Sequence, residues 1–284
     1  MTAQEQAEQW QRWGAEDARK WIAVPAADDD KYSRGVLGVL TGSSRFPGAA
    51  VLGVEAAVRT GVGMVRYLGA GTPTRLVMQR RPEIVTAGGR VQAWLAGSGM
   101  DAASRTSRES ARIRSALAEG VPAVLDAGAL ELVGEASGAL VITPHFRELS
   151  VALGGAGTDV DASSIAADPA GWAVRAAETL GVTVLLKGHT TFVASPGGRR
   201  LSSSTGPSWL ATAGSGDVLG GILGALVATH ADAIARDPET LAALAATAAT
   251  LHGLAADRAS AGGPIAALDI AETLPSTIAA LLAG

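Results

Sequence analysis

Residues 211–223, ATAGSGDVLGGIL, begin as a polar turn of small residues and continue without a break into an apolar run. This pattern is typical of a loop that enters a helix, and its glycines allow the backbone to approach a ligand closely. The N–H groups at the start of a helix lack partners inside the helix and carry the positive end of its dipole. The stretch therefore predicts an anion site, suited to a phosphate or a developing oxyanion.

Asp217 lies at the mouth of this predicted site, where a carboxylate can take a proton from a substrate hydroxyl. A simpler interpretation is also open, in which Ser215 or Asp217 only caps the helix and the glycines only allow close packing. Short glycine motifs occur by chance, so the rest of the chain has to decide between the two interpretations.

The composition favours an α/β enzyme over a nucleic-acid-binding or membrane protein. The 284 residues are 48% hydrophobic, 18% charged and 4% aromatic, with a net charge of -4, so no basic, aromatic surface for nucleic acid is expected. The lack of cysteine excludes disulfides and thiolate metal sites and suits a cytoplasmic protein. The N-terminus has no apolar signal-peptide core, and no window of about 18 residues is strongly apolar, so we expect no membrane span.

The first 30 residues are predicted to be a leader segment outside the main domain. Three tryptophans, Trp10, Trp13 and Trp21, indicate an amphipathic segment that packs on the body of the protein or on another subunit. A frayed terminus is the alternative, because chain ends are often poorly ordered.

Residues 31–284 are predicted to form a single α/β domain. Apolar strand-like runs alternate with helical patterns, which predicts a mainly parallel sheet with helices on both faces, an α/β/α sandwich. In such sheets, ligands bind outside the carboxyl ends of the strands. The predicted elements include a strand over 83–87, one helix over 163–180, and a hairpin of 191–194 with 199–203.

Polar residues follow three of the predicted strands. Asp126 ends one strand, His145 follows Thr143 and Pro144 after the next, and Lys187 ends a third apolar run. We expect His145 to point into the cleft and Lys187 to meet a counter-charge, for which a phosphate is suitable. Each residue has a structural alternative: helix capping for Asp126 and the His145 segment, and a side chain that reaches solvent for Lys187.

Several common enzyme classes are poor candidates. No lysine has the glycine spacing of a Walker A motif, and neither a Rossmann fingerprint nor a G-x-S-x-G elbow occurs. The four histidines have no metal-ligand spacing between them. P-loop enzymes, classical dehydrogenases, serine hydrolases and zinc enzymes therefore fit this sequence badly.

Seven segments together carry a family resemblance: 42–50 GSSRFPGAA, 61–63 GVG, 96–100 AGSGM, 125–130 LDAGAL, 143–148 TPHFRE, 186–188 LKG and 211–217 ATAGSGD. With them, the sequence resembles the ADP/ATP-dependent NAD(P)H-hydrate dehydratase family, the C-terminal domain of YjeF-type proteins. The resemblance extends from about residue 31 to the end of the chain. It implies a ribokinase-like fold, and the glycine–aspartate motif alone is shared with all ribokinase-like kinases.

The resemblance also implies roles for residues in these segments. Asp217 would be the catalytic base. The implied anion hole is formed by the backbone N–H groups of Gly214, Ser215, Gly216 and Asp217. The residues implied to contact the hydrated dinucleotide are Ala49, Gly99, His145 and Asp217. Those implied to contact the adenine nucleotide are Lys187, Gly188, His189, Thr190 and Thr191, together with the loop 206–216, which includes Gly216.

The implied activity is the repair of hydrated NADH or NADPH through phosphorylation and loss of phosphate, with ADP or ATP as phosphoryl donor. Mg²⁺ would bind with the nucleotide through phosphates and water, so no protein residue is assigned as a metal ligand. A homo-oligomer, often a tetramer, is also implied. One alternative is a ribokinase-like kinase of a small alcohol of the thiazole or pyrimidine type. Another is a non-catalytic nucleotide-binding protein, against which the retained Asp217 argues.

Three positions depart from the family pattern. Gly128 stands where the D-A-D-A-L motif has its second acid, so no catalytic role is assigned there. Residues 206–210 read GPSWL where N-P-G-M is usual, and Ser98 replaces a proline. These departures bear on nucleotide affinity and preference more than on the fold.

Overall fold

Nine strands form one sheet in the computed structural model, which describes residues 10–284. The strands are β1 Gln11–Arg12, β2 Val36–Leu40, β3 Met64–Tyr67, β4 Ala93–Ala96, β5 Ala123–Leu125, β6 Leu140–Ile142, β7 Thr183–Leu186, β8 Thr191–Ala194 and β9 Arg200–Ser203. Their order across the sheet is β1-β9-β8-β7-β6-β5-β4-β2-β3. Neighbouring strands are parallel except where β8 pairs with β7 and β9, so β8 alone of these strands runs against the others.

Helices connect the strands and cover the sheet. The α-helices are α1 Ala15–Arg19, α2 Gly48–Thr60, α3 Gly71–Arg80, α4 Ser107–Leu117, α5 Phe146–Gly155, α6 Ala162–Ala167, α7 Pro169–Leu180, α8 Ser215–Thr229, α9 Ala231–Arg236, α10 Thr240–Ser260 and α11 Ala267–Ala283. Short 3-10 helices occupy Ala127–Glu135 and Ser208–Leu210. Within residues 10–284, no helix combines the length and apolar character needed to cross a bilayer.

Alternate strand residues face opposite sides of the sheet and build two hydrophobic cores. On one side, residues such as Leu37 and Val39 pack against α2, α8, α10 and α11. On the other, residues such as Val36 and Leu40 pack with α4, α5 and α7. The predicted α/β/α sandwich with a mainly parallel sheet is therefore confirmed, as is the hairpin formed by β8 and β9.

Two predicted elements are wrong. Segment 83–87 is not a strand: it contributes only an isolated bridge between Arg66 and Val85, because Gly88 and Gly89 follow at once and end the extended run. The single helix predicted over 163–180 is two helices, α6 and α7. Asp168 lies between them and accepts a hydrogen bond from the Gly171 N–H at 2.9 Å, which starts a new helix at Pro169.

The described part of the N-terminal segment lies against the body of the protein. Strand β1 pairs with β9, and the buried Trp13 indole donates a hydrogen bond to Thr247 Oγ1 at 3.1 Å. Trp10 contacts the Phe192 ring edge-on, with ring centroids 4.9 Å apart. Residues 1–9 of the predicted leader lie outside the described residues, and its boundary at residue 30 stays a prediction.

A buried carboxylate joins three helices on one side of the sheet. Glu55, on α2, is fully buried and accepts hydrogen bonds from Arg59 on the same helix and from Arg81 after α3, both at 2.6 Å. Arg80 on α3 bonds both Glu55 and Glu272 of α11. Burial by itself would raise the pKa of Glu55, but the hydrogen bonds from these arginines outweigh it and lower the pKa to about 2.

We expect Glu55→Gln to lower the free energy of unfolding at pH 7 by about 3 kcal/mol, because it leaves three arginines without their shared counter-charge. Since the folded pKa lies below the unfolded one, this contribution is present above about pH 4.5 and disappears as pH falls toward 2. Urea unfolding at several pH values measures it. The control, Glu272→Gln, removes an exposed partner and should cost under about 1 kcal/mol; equal losses in both variants would contradict the prediction.

Candidate active site

The first turn of α8 forms a backbone cradle. Gly214 precedes the helix with a φ of 87°, a left-handed conformation that suits glycine, and a Cβ there would lie 2.5 Å from Leu52 Cδ1. The Ser215 N–H bonds back to the Thr212 carbonyl at 3.3 Å. The N–H groups of Gly216 and Asp217 follow in the first turn, where helical N–H groups lack partners inside the helix. The predicted loop-to-helix transition is therefore present, and neither Ser215 nor Asp217 caps it with a side chain.

Asp217 lies in this first turn as a half-buried carboxylate. Burial raises the pKa of Asp217 to about 7, helped by the negative charge of Asp126 and opposed by the positive charge of Lys187. A carboxylate with a pKa near neutrality is well suited to accept and release a proton in a reaction.

A hydrogen-bonded network joins the carboxyl ends of four neighbouring strands. Asp126, directly after β5, is buried and accepts hydrogen bonds from Ser98 after β4, at 3.0 Å, and from Thr143 after β6, at 2.8 Å. The Lys187 ammonium, after β7, donates to Asp126 Oδ1 at 2.9 Å. The sequence analysis considers Asp126 and Lys187 separately. They follow β5 and β7, which lie on either side of β6, and their common position at the carboxyl ends of strands is the signal that links them.

Lys187 faces both the carboxylate network and the cradle. Its side chain is 21% exposed, and its ammonium also lies 3.5 Å from Glu148 Oε2. A Cβ built on Gly216 would lie 3.6 Å from Lys187 Nζ, so the lysine stands at the start of α8. Asp126 and Glu148 therefore supply the counter-charge expected for Lys187. The alternative in which the Lys187 side chain reaches out to solvent is wrong.

The His145 segment caps α5, as the structural alternative predicted. His145 Nδ1 accepts a hydrogen bond from the Glu148 N–H at 3.2 Å, and the Glu148 carboxylate accepts one from the His145 N–H at 2.8 Å. The exposed imidazole nevertheless lines the cleft, as expected. Capping and cleft lining are thus compatible in this residue.

The cleft beside the cradle has a volume of about 630 Å³. The sequence-predicted residues that line it are His145, Lys187, Gly188, His189, Thr191, Ser215 and Gly216. Thr190 is not part of this lining. The opposite wall comes from the loop 203–212 and from α10, whose His252 and Gly253 sequence reasoning did not connect with the site.

Ala49 and Gly99 lie against each other, about one turn of α2 before the point where that helix approaches Asp217. Gly99 has a φ of 67°, and a Cβ there would overlap the Ala49 side chain and lie 3.0 Å from the Phe46 carbonyl. Gly53, four residues after Ala49 on α2, approaches the Asp217 backbone: its Cβ would lie 3.4 Å from that carbonyl oxygen. Neither Ala49 nor Gly99 lines the cleft that contains Lys187.

Gly128 is packed too closely to carry a side chain in this conformation. Its Cβ would lie 2.6 Å from the Met100 carbonyl carbon, and the preceding Ala127 has a φ of 44°. The buried Arg105 guanidinium bonds the Gly128 carbonyl and Glu131 Oε1. At Gly128, where the family motif has its second acid, the turn therefore leaves no space for an acidic side chain.

This combination of fold and site defines a ribokinase-like α/β protein, with a glycine–aspartate turn at the carboxyl edge of a parallel sheet. A family model described as NAD(P)H-hydrate dehydratase matches residues 37–276. The chain belongs to the NAD(P)H-hydrate dehydratase family.

Two curated relatives support the same family assignment, and one solved structure shares the fold. The bifunctional NAD(P)H-hydrate repair enzyme Nnr of Mycobacterium tuberculosis is 42% identical to this chain over 75% of the chain's length. The matched region is only 44% of the Nnr protein, so the chain spans less than half the length of this relative. The ADP-dependent (S)-NAD(P)H-hydrate dehydratase of Neisseria meningitidis is 36% identical over 85% of this chain and 83% of its own length. The ADP/ATP-dependent NAD(P)H-hydrate dehydratase of Bacillus subtilis, co-crystallised with ATP and Mg²⁺, shares the fold, with a TM-score of 0.84, 24% identity, and coverage of 96% of this chain and 99% of that one.

Proposed function

We propose that this chain is a nucleotide-dependent NAD(P)H-hydrate dehydratase, a lyase that returns hydrated NADH or NADPH to the reduced coenzyme. The observation that carries the proposal is the position of Asp217 in the first turn of α8. The Lys187 ammonium faces the same turn, next to Gly216. A proton acceptor, a backbone anion cradle and a fixed cation are the groups that phosphoryl transfer to a hydroxyl needs. The family membership and the names of the relatives support this substrate class.

In the first step, the added hydroxyl of the hydrated ring attacks the terminal phosphorus of the nucleotide. Asp217 takes the hydroxyl proton as the new O–P bond forms, and the bond from that phosphorus to its bridging oxygen breaks. The N–H groups at the start of α8 and the Lys187 ammonium stabilise the charge on the phosphoryl oxygens. The products are the phosphorylated hydrate and a nucleotide shortened by one phosphate.

In the second step, the ring loses phosphate, which is a better leaving group than hydroxide. The C–O bond breaks with its electron pair on phosphate, the adjacent ring carbon releases a proton, and a carbon–carbon double bond forms. The net change removes the elements of water from the hydrate and cleaves one phosphate from the nucleotide.

The described residues fit a Mg²⁺ ion only as a partner of the nucleotide. Across residues 10–284, no three His, Cys, Asp or Glu side chains are close enough to hold a metal ion, and the cradle and Lys187 are arranged for phosphate oxygens. Mg²⁺ is commonly held through substrate phosphates and water. When bound, it neutralises charge on the phosphoryl oxygens.

We assign the nucleotide to the 630 Å³ cleft and the hydrated ring to the other side of Asp217. Lys187, Gly188, His189, Thr191 and Gly216 line the nucleotide cleft, and Thr190 belongs to the same predicted segment. Ala49 and Gly99 lie against each other on the side where α2 approaches Asp217, and the exposed His145 lines the cleft, which supports their assignment to the dinucleotide. ADP is the preferred donor in this proposal, because the Neisseria relative is named ADP-dependent.

The test mixes purified protein with hydrated NADH and Mg²⁺, adds ADP or ATP in parallel, and follows absorbance near 340 nm. A rise that needs nucleotide, with one phosphate released for each NADH formed, is the expected result. Release of phosphate without NADH, or no rise with either nucleotide in folded protein, would overturn the proposal.

The same assay separates the alternative alcohol kinase. A kinase would convert thiazole or pyrimidine alcohols to stable phosphate esters, would release no inorganic phosphate and would leave hydrated NADH unchanged. The homo-oligomer, and specifically the tetramer, stays a prediction that light scattering on the purified chain measures directly.

A further inference from the structure

One short stretch of α10, residues 250–253, contacts both the loop 203–212 and the first residue of α8, and all three segments line the nucleotide cleft. The Thr250 carbonyl accepts a hydrogen bond from Thr205 Oγ1 at 3.3 Å, on the loop that forms one wall. His252 reaches Ser215, the first residue of α8, on the other wall. Thus α10 links two segments that lie far apart from it in the sequence.

The link to α8 is a buried hydrogen bond. His252 Nε2 lies 3.2 Å from Ser215 Oγ, and both residues line the cleft although each is less than a tenth exposed. Burial lowers the pKa of His252 to about 4, so the imidazole is neutral at physiological pH. A neutral imidazole paired with a hydroxyl holds the Ser215 side chain in one orientation and with it the start of the cradle.

Gly253 sets the distance to the opposite loop. A Cβ on Gly253 would lie 2.7 Å from the Gly206 backbone nitrogen and would overlap Thr205 Oγ1. The helix and the loop therefore meet through their backbones at this point. A larger residue at position 253 would push the loop 205–210 away from α10.

The histidine is not explained by packing alone. The other buried residues of α10 are mainly alanine, leucine and threonine, which fill a core without a hydrogen-bonding ring. A buried polar ring has a desolvation cost unless it is hydrogen-bonded, and its partner here is a residue of the cradle.

We propose that His252 is a positioning residue for adenine nucleotide binding: through Ser215 it fixes the first turn of α8 against the phosphates, while Gly253 fixes the width of the cleft. The inference rests on the proposed function only in taking this cleft as the nucleotide site. His252 does not touch the reacting atoms in this scheme and acts through Ser215.

The test measures the Kd of ADP and of ATP by calorimetry, without turnover, for the wild-type protein and six variants. We expect His252→Leu and Ser215→Ala each to raise Kd about three- to tenfold, the value of one lost hydrogen bond. His252→Gln keeps a hydrogen-bonding group and should stay within about twofold of wild type. The double variant, His252→Leu with Ser215→Ala, should resemble either single variant because both remove the same interaction.

Gly253→Ala is expected to weaken nucleotide binding by widening the cleft. Its matched control is Gly154→Ala on α5, another helical glycine, whose Cβ would meet nothing within 4 Å; this control should bind as wild type does. Circular dichroism of each variant verifies folding, and the His252→Gln and Ser215→Ala variants keep the test decisive if His252→Leu does not fold.

The outcomes separate this inference from the proposed function. Wild-type protein that binds neither nucleotide would overturn both. Wild-type binding with unchanged affinity in folded His252→Leu, or with fully additive losses in the double variant, would overturn the positioning role and leave the proposed function intact.

Discussion

Asp217→Asn is expected to lower the turnover number about 10²- to 10⁴-fold, the usual value of a general base, while the protein stays folded. Asparagine has nearly the same shape as aspartate, so it preserves the first turn of α8, but it cannot take the hydroxyl proton. The measurement is the rate of NADH formation from the hydrate at saturating nucleotide, together with the Kd of the nucleotide, which should change little.

The pH dependence gives an independent check on the same residue. The base has to be ionised, so wild-type kcat/KM should rise with pH through about 7, the pKa of Asp217 in the folded protein, and level off above it. A profile that is flat between about pH 5 and 9 would contradict this assignment of the base.

The raised pKa of Asp217 also predicts that the stability of the protein falls over the pH range in which its activity rises. Because the folded protein holds the Asp217 proton more tightly than the unfolded chain does, wild-type stability should fall as pH rises from about 4 to about 7. Asp217→Asn does not lose stability in this pH range. Its Tm at pH 8 should therefore exceed that of the wild-type protein by about 2–4 °C for each kcal/mol that the wild type loses. The control, Asp269→Asn, makes the same change in the first turn of α11 and should alter neither activity nor this pH trend.

Asp126→Asn is expected to lower the free energy of unfolding by about 3 kcal/mol, since it removes the counter-charge of a mostly buried lysine. Burial would raise the pKa of Asp126, but the Lys187 charge and the hydrogen bonds from Lys187, Thr143 and Ser98 outweigh it and hold the pKa below its usual range. Its stabilising contribution is therefore present at neutral pH and lost as pH falls below about 4. Thermal unfolding at pH 7 and at low pH measures the difference.

Asp126→Asn should also move the acid limb of the kcat/KM profile to lower pH. The negative charge of Asp126 raises the pKa of Asp217, whereas Lys187 lowers it; removing the Asp126 charge therefore lowers the pKa of Asp217 and leaves the effect of Lys187 in place. Thr143→Val serves as the control, because it removes a hydrogen bond to Asp126 without removing charge; its acid limb should stay near pH 7. An unshifted limb in active Asp126→Asn would show that the two carboxylates do not interact.

The layers of the fold and the central turn were predictable from local patterns. Alternating apolar runs and helical spacing indicated the sandwich, and residues 211–223 indicated the loop that starts α8, because both signals lie within a few consecutive residues. The failed strand at 83–87 and the divided helix at 163–180 depended on Gly88 and on Asp168 with Pro169, whose local effects outweighed the apolar pattern.

The contacts of the site were not predictable from local patterns. Ser98, Asp126, Thr143 and Lys187 meet only because β4, β5, β6 and β7 are neighbours in the sheet, and strand order is a property of the whole fold. The pairing of His252 with Ser215 likewise depends on how α10 packs on α8. The roles of the site residues stay predictions until the variants above are measured.

The placement of the N-terminal segment also constrains how the chain matures during synthesis. Residues 11–12 pair with 201–202, and Trp13 bonds Thr247, which follows it by 234 positions. The ribosome therefore makes this segment well before its partners, and closing such a long separation is entropically slow. Strands β2 to β7 can pair as they emerge, whereas β1 stays unpaired until β9 has been made.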